Sequence, residues 1–209
     1  MESRGLESID ATIYVDGKEY AMHLKVPGAH NVMNAMAAIA IARVIGVDPE
    51  NAIGGIEDFK PMSMRMEKIV LASGIQLVND CYNANPLSMK EALRTISGTK
   101  RAGRFVAVLG DMLELGAKSS ECHEEVGLAA AEHKVDKLFA FGDHASDIAA
   151  GAKKLGMNAG RVEIYNDMER LKKDVLGFVK AGDVVLVKGS RGMKMERVAQ
   201  FLIDEMGVE

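Results

Sequence analysis

Tryptophan is absent from the 209 residues, aromatic side chains make up only 5%, and there are 4 prolines. The 2 cysteines, Cys81 and Cys122, are too few for a disulfide framework and suit a reducing compartment, which sets a cytoplasmic location as the expectation. No apolar run approaches the roughly 20 residues a membrane-spanning helix needs; the longest covers only residues 35–42. The opening Met1-Glu2-Ser3-Arg4-Gly5 has no charged-then-apolar targeting pattern. Excess charge is lacking too. Lys+Arg 26 against Asp+Glu 30 leaves a net −4, which removes the electrostatic case for nucleic acid or an anionic membrane as partner. One further absence bears on chemistry. There is no Gly-x4-Gly-Lys-Ser/Thr loop, and the only Gly-Lys pair, Gly17-Lys18, runs into Glu19. If the protein handles ATP, these residues do not supply the phosphate-cradling loop.

What is present is a globular composition, 48% hydrophobic and 27% charged, long enough to bury a core as one large domain or one domain plus a piece of another. Alternating residues 11–15 and 20–26 around Asp16-Gly17 predict a hairpin with a tight turn. After Pro27-Gly28, an Ala/Ile/Met-rich run from Asn31 to Ile45 predicts a mostly buried helix ending at Gly46. Asp48-Pro49 opens a second helix, expected to stop near Phe59-Lys60-Pro61. Beyond Pro61, the expected domain boundary, the texture changes. Apolar runs at 75–78, 105–109, 137–141 and 184–187, with a shorter one at 161–164, each lead into polar or glycine-rich clusters and most into helical stretches. The last of these helices is expected to begin near Met193. That alternation predicts an α/β fold, a mainly parallel sheet with helices on both faces, whose polar clusters share the carboxyl edge.

Several clusters carry chemistry. Asn31 and Asn34 share a helical face and could read an adenine edge or fix a phosphate-bound group; the plainer reading makes Asn31 a helix cap. Asp80-Cys81-Tyr82-Asn83-Ala84-Asn85-Pro86 sets an acid, a phenol and carboxamides past a strand end, and capping by Asn85 with Pro86 explains only part of it. Lys188-Gly189-Ser190-Arg191-Gly192 offers cations, a hydroxyl and glycines where an anion could sit, or is a solvated loop. Arg65 could grip a phosphate, or pair with a carboxylate such as Glu67. Asp111 and Glu114 come after a buried strand without forming a readable acid/base pair. The histidines lack metal-ligand spacing, and Cys81 is the better candidate of the cysteines for reactivity.

Taken together, these segments resemble the Mur ligases. The carrying motifs are Gly28-Ala29-His30-Asn31-Val32-Met33-Asn34, Arg65-Met66-Glu67, the 79–89 segment, and Leu109-Gly110-Asp111-Met112-Leu113-Glu114-Leu115-Gly116 with Ser119 and His123 after it. Val187-Lys188-Gly189-Ser190-Arg191 completes them. The Tyr82–Pro86, 110–116 and 188–191 forms are most similar to the branch that joins D-alanyl-D-alanine to UDP-N-acetylmuramoyl-tripeptide in peptidoglycan precursor synthesis. The resemblance implies that residues 1–61 are the tail of a central ATP-binding domain and 62–209 a Rossmann-like C-terminal ligase domain. It thus implies a fragment that is inactive alone. It implies ATP and Mg²⁺ as cofactors, the metal ligands lying outside these residues, and an acyl-phosphate intermediate. Asn31 and Asn34 would contact the nucleotide, and Arg65 and Asp80 its phosphate and ribose. Tyr82, Asn83, Asn85, Lys188, Ser190 and Arg191 would meet the incoming dipeptide. Another Mur-type or folylpolyglutamate-type amide ligase, or a non-catalytic binding module, are the competing readings.

Overall fold

The computed structural model describes residues 1–99 and 101–209. They divide into a unit made of Met1–Met62 with residues 98–99, and a unit made of Ser63–Ser97 and Arg101–Glu209.

In the first unit a short strand β1 (Glu2–Ser3) pairs antiparallel with β2 (Ile9–Val15), which pairs with β3 (Lys18–Leu24) in a hairpin. Its turn needs positive φ at both central residues to match the strand twist, and Asp16 (φ 51°) and Gly17 (φ 78°) supply it. Two helices, α1 (Ala29–Val44) and α2 (Pro49–Glu57), cover the hairpin. Val32, Ala35 and Ile39 of α1 and Ile53 of α2 pack on Ile9, Ala11, Ile13, Met22 and Leu24. The expectation of a mostly buried α1 is not met. Only that narrow stripe is covered, while Met33, Met36, Ile41 and Val44 are exposed, because within this unit the hairpin and α2 pack on one side of the helix. Asp48 caps α2 by accepting the Glu50 N–H at 2.9 Å, and the helix ends at Glu57, short of Phe59.

The second unit is a six-stranded sheet in the order β4-β5-β9-β6-β7-β8. Its elements in chain order are β4 (Glu67–Val70), β5 (Gln76–Asp80), α3 (Pro86–Ser97), β6 (Phe105–Gly110), α4 (Ser119–Glu132), β7 (Lys137–Phe141) and α5 (Ala145–Lys154). Then come β8 (Val162–Tyr165), α6 (Met168–Phe178), β9 (Val184–Lys188) and α7 (Glu196–Met206). All strands but one run parallel. The exception, β4, is an antiparallel edge strand that sequence patterning misses: its four residues are all half-buried and do not alternate. Patterning also misses helix α6; Asp167 caps it, and the buried Leu171 and Val175, flanked by the partly buried Met168, Leu176 and Phe178, anchor it in the core.

Side chains alternate across the parallel strands. Val106, Val108, Val185 and Val187 face α6 and α7 in one continuous core with Leu171, Val175, Val198 and Leu202. The other face is covered by α3, α4 and α5, which pack on one another. Helices α4 and α5 cross closely enough that a Cβ at Gly127 would sit 1.9 Å from the Ile148 carbonyl oxygen, and one at Gly151 1.9 Å from that of Glu124. The chain passes from β5 to β6 leaving a gap that β9 later fills. That is where the strand order reverses, and open α/β sheets place ligands outside the carboxyl ends of strands at such a point. The loops after β5, β9 and β6 therefore meet there.

Candidate functional site

Asp80 and Lys188 are register partners at the carboxyl ends of the adjacent strands β5 and β9. The register puts their side chains on one face, and the Lys188 Nζ meets the Asp80 Oδ2 at 2.6 Å with the ammonium side chain only 2% exposed. The same ammonium donates to the Asn83 carbonyl at 3.0 Å. Lys188 is thus a strut between two loops, its charge already matched, rather than a cation waiting for a ligand. The other Asp80 oxygen accepts the Met66 N–H at 3.1 Å.

That bond shapes the segment carrying Arg65. Met64 (φ 61°) and Met66 (φ 49°), on either side of it, both adopt the left-handed conformation that side chains disfavour. Glu67 helps impose it: Oε2 accepts from the Ser63 hydroxyl (3.0 Å), the Met64 N–H (2.9 Å) and the Asn79 amide (3.3 Å). Glu67 is therefore occupied by this turn, and the expected Arg65–Glu67 pairing is replaced by another contact. The Arg65 guanidinium lies 4.1 Å from the centre of the Tyr82 ring, an exposed cation on an exposed aromatic face. The left-handed turn, and hence the role of Glu67, has no signature in sequence spacing.

The rest of the β5 loop is partly capping. Asn85 Oδ1 accepts the Ser88 N–H at 2.8 Å and the Ser88 hydroxyl accepts the Asn85 N–H at 3.1 Å, closing the first turn of α3. Asn83 is exposed, with its Oδ1 accepting the Ala84 N–H. Cys81 is fully buried, its thiol donating to the Val187 carbonyl at 3.2 Å, and burial pushes the thiol far above its ordinary range. The expected reactivity of Cys81 is thereby corrected: the thiolate that would react is suppressed.

After β9, Ser190 is buried and ties loops together, its hydroxyl accepting the Leu113 N–H at 2.9 Å and its own N–H donating to the Asp111 carbonyl at 2.9 Å. Arg191 is the open group here, its side chain 57% exposed. Its Nη1 lies 3.3 Å from Glu196 Oε1 and 3.1 Å from Met64 Sδ. The helix expected from Met193 starts later, at Glu196. A single 3₁₀ turn over Arg191–Met193 and a left-handed Lys194 (φ 53°) intervene, so α7 does not aim its first N–H groups at Arg191 from Met193.

Beside this, the Asp111 carboxylate sits at the start of α5, accepting the Asp143 N–H (2.8 Å) and the His144 N–H (3.2 Å). Burial raises its carboxyl against these donors. The protein's own carboxylate fills that helix end, and a Cβ at Gly142 would lie 2.4 Å from it.

Asn31 and Asn34 belong to the first unit. Gly28 (φ 96°), not Asn31, occupies the cap position of α1. Asn31 instead donates to the Pro27 carbonyl at 2.7 Å, and the exposed Asn34 amide approaches Asn31 Oδ1 at 3.5 Å. Among the described residues no three or more His, Cys, Asp or Glu side chains could hold a metal ion, so no residue is assigned to Mg²⁺. None of the described helices is long and apolar enough to cross a membrane.

A family model described as Mur ligase, glutamate ligase domain, matches residues 64–191. The chain is 41% identical over 194 residues to the UDP-N-acetylmuramoyl-tripeptide–D-alanyl-D-alanine ligase of Bacillus subtilis, covering 91% of this chain and 41% of that protein. A crystal structure of MurF from Acinetobacter baumannii superposes with a TM-score of 0.86 at 28% identity, covering 97% of this chain and 43% of the other. MurF ligase from Thermotoga maritima in complex with ADP gives a TM-score of 0.77 at 27% identity, over 95% and 44%. The chain therefore spans about two-fifths of the length of the relatives it matches.

Proposed function

The chain belongs to the Mur ligase family, and on that premise we propose that it forms part of an ATP-dependent ligase joining D-alanyl-D-alanine to UDP-N-acetylmuramoyl-tripeptide. Residues 1–61 are the closing part of a central ATP-binding domain and 62–209 the ligase domain. Two facts support this: relatives more than twice as long, and the uncovered apolar side of α1.

The observation that carries the reading is the buried Asp80–Lys188 pair, which locks the β5 loop to the β9 loop at the strand-order reversal. On that scaffold the exposed groups Arg65, Tyr82 and Arg191 line the carboxyl edge. Arg191 is the group suited to the acceptor's carboxylate, because its planar fork is exposed and its present partners, a weakly accepting thioether and one Glu196 oxygen, both meet Nη1 alone. Ser190 and Lys188 hold that loop from below, and Asn83 and Asn85 shape the facing loop. ATP, when bound by the whole enzyme, supplies the phosphoryl group that activates the tripeptide carboxylate. Arg65, presented by the turn that Asp80 and Glu67 pin, and Asn31 and Asn34 are the groups of this chain assigned to the nucleotide. Positioning is their contribution, since amide formation needs the amine held in line with the activated carbonyl.

The full-length enzyme tests this. With UDP-N-acetylmuramoyl-tripeptide and ATP, phosphate release should depend on D-alanyl-D-alanine and not on single amino acids or glutamate. Release driven by a single amino acid would assign the chain to another branch of the family.

A further inference from the structure

His123 is fully buried in the first turns of α4, and the proposed function does not use it. Its ring is held at both nitrogens. Nε2 accepts the Met112 N–H at 2.8 Å, which places the ring proton on Nδ1, and Nδ1 donates to the Ser119 carbonyl at 2.7 Å. His144 stacks on it with centroids 4.5 Å apart, and itself lies 2.9 Å from the Ser119 hydroxyl and 2.8 Å from Asp147.

The Met112 bond matters because it fixes the backbone next to a second contact. The adjacent N–H, from Leu113, is the donor to the Ser190 hydroxyl at 2.9 Å, and the Ser190 N–H returns to the Asp111 carbonyl at 2.9 Å. The loops approach so closely that a Cβ at Gly189 would lie 3.1 Å from the Gly110 Cα, and one at Gly192 would lie 2.7 Å from Leu113 Cδ1. A left-handed Glu114 (φ 65°) then turns the chain away. Arg191 sits between Ser190 and Gly192, the residues that this turn grips. An unbroken series of contacts runs from the imidazole through the 112–113 backbone to the loop that presents Arg191.

We infer that His123 is a positioning residue for the acceptor subsite, fixing the 111–114 turn that in turn fixes the Arg191 loop. The inference rests on the acceptor role proposed for Arg191.

The test uses the full-length enzyme and paired variants. His123→Asn keeps a donor near the Nδ1 position but loses the acceptor that reaches Met112; His123→Gln puts its carbonyl close to the Nε2 position. His123→Asn should raise the KM for D-alanyl-D-alanine about five- to tenfold, the effect of a lost buried hydrogen bond felt at one remove. Its kcat and KM for ATP should stay within about twofold, and His123→Gln should recover most of the loss. Ser190→Ala, which cuts the same series at its far end, should resemble His123→Asn. Hydrogen exchange on the same proteins should quicken at 111–114 and at 189–192 together in His123→Asn. An unchanged dipeptide KM, or an equal loss in every constant that Gln does not recover, overturns the inference. If exchange quickens in both segments while Arg191→Ala leaves the dipeptide KM alone, the coupling stands and the acceptor assignment falls.

Discussion

Replacing Lys188 by Met removes the ammonium and keeps most of the side chain's volume. In the structure that ammonium is 2% exposed and satisfies Asp80 Oδ2 at 2.6 Å and the Asn83 carbonyl at 3.0 Å. Without it the Asp80 carboxylate is left in a buried site with only the Met66 N–H, at 3.1 Å, as a strong donor. Breaking a buried pair from one side costs about 3–5 kcal/mol, because the remaining charge is uncompensated. For a chain of this size each kcal/mol lowers Tm by about 2–4 °C, so the expected loss is about 6–20 °C. Adding Asp80→Asn removes the stranded charge, and the double variant should regain most of the deficit; a well-packed neutral replacement is often nearly as stable as the pair. Urea denaturation at pH 7 followed by circular dichroism, on both single variants and the double, gives the coupling energy directly. If Lys188→Met costs under about 1 kcal/mol, or the single effects simply add, the pair is not the strut described, and the loops are held by something else.

Asp183 is buried. Although burial would raise its carboxyl, the Arg104 guanidinium and the Arg104 and Lys180 N–H groups hold it below the ordinary value. Its stabilisation is therefore present above the unfolded carboxylate's pKa of about 3.9 and lost as pH falls through the lower folded value; Asp183→Asn should flatten the acid limb of a stability–pH profile. Gly151→Ala should destabilise by at least about 1–3 kcal/mol in urea, since its Cβ would strike the Glu124 carbonyl across the α4–α5 crossing. In the native state iodoacetamide should modify the half-buried Cys122 and spare Cys81, with both reacting in denaturant; native labelling of Cys81 would contradict its burial. The 209-residue chain, which has no Gly-x4-Gly-Lys-Ser/Thr loop, should turn over no Mg-ATP above a blank.

Much of the fold is legible in the chain because local chemistry and tertiary packing agree. Asp16-Gly17 can take the positive φ that its turn demands, Asp48-Pro49 starts a helix, and the buried parallel strands read as apolar runs. The misses occur where tertiary context decides. Strand β4 owes its existence to pairing with β5, and α7 is delayed by a left-handed Lys194 that residue type does not announce. The candidate site divides in the same way. The polar loops are visible as motifs, whereas the Asp80–Lys188 pairing joins residues 108 apart through a strand insertion that linear order hides. Lys188 and Arg191 look equivalent as cations in a loop. Only burial separates them, one internal and neutralised, the other open to solvent.

The loop carrying Arg191 is proposed to receive the carboxylate of the incoming dipeptide. Steady-state kinetics of full-length Arg191→Ala, with D-alanyl-D-alanine and ATP each varied, tests it most directly. Loss of a charge-assisted bond worth about 1.5–3 kcal/mol should raise the KM for the dipeptide about 10–100-fold. The KM for ATP should hold steady. A shift confined to ATP would put the loop on the nucleotide. No shift in either constant would leave Arg191 as a partner of Glu196 alone, 3.3 Å away, and would contradict the claim.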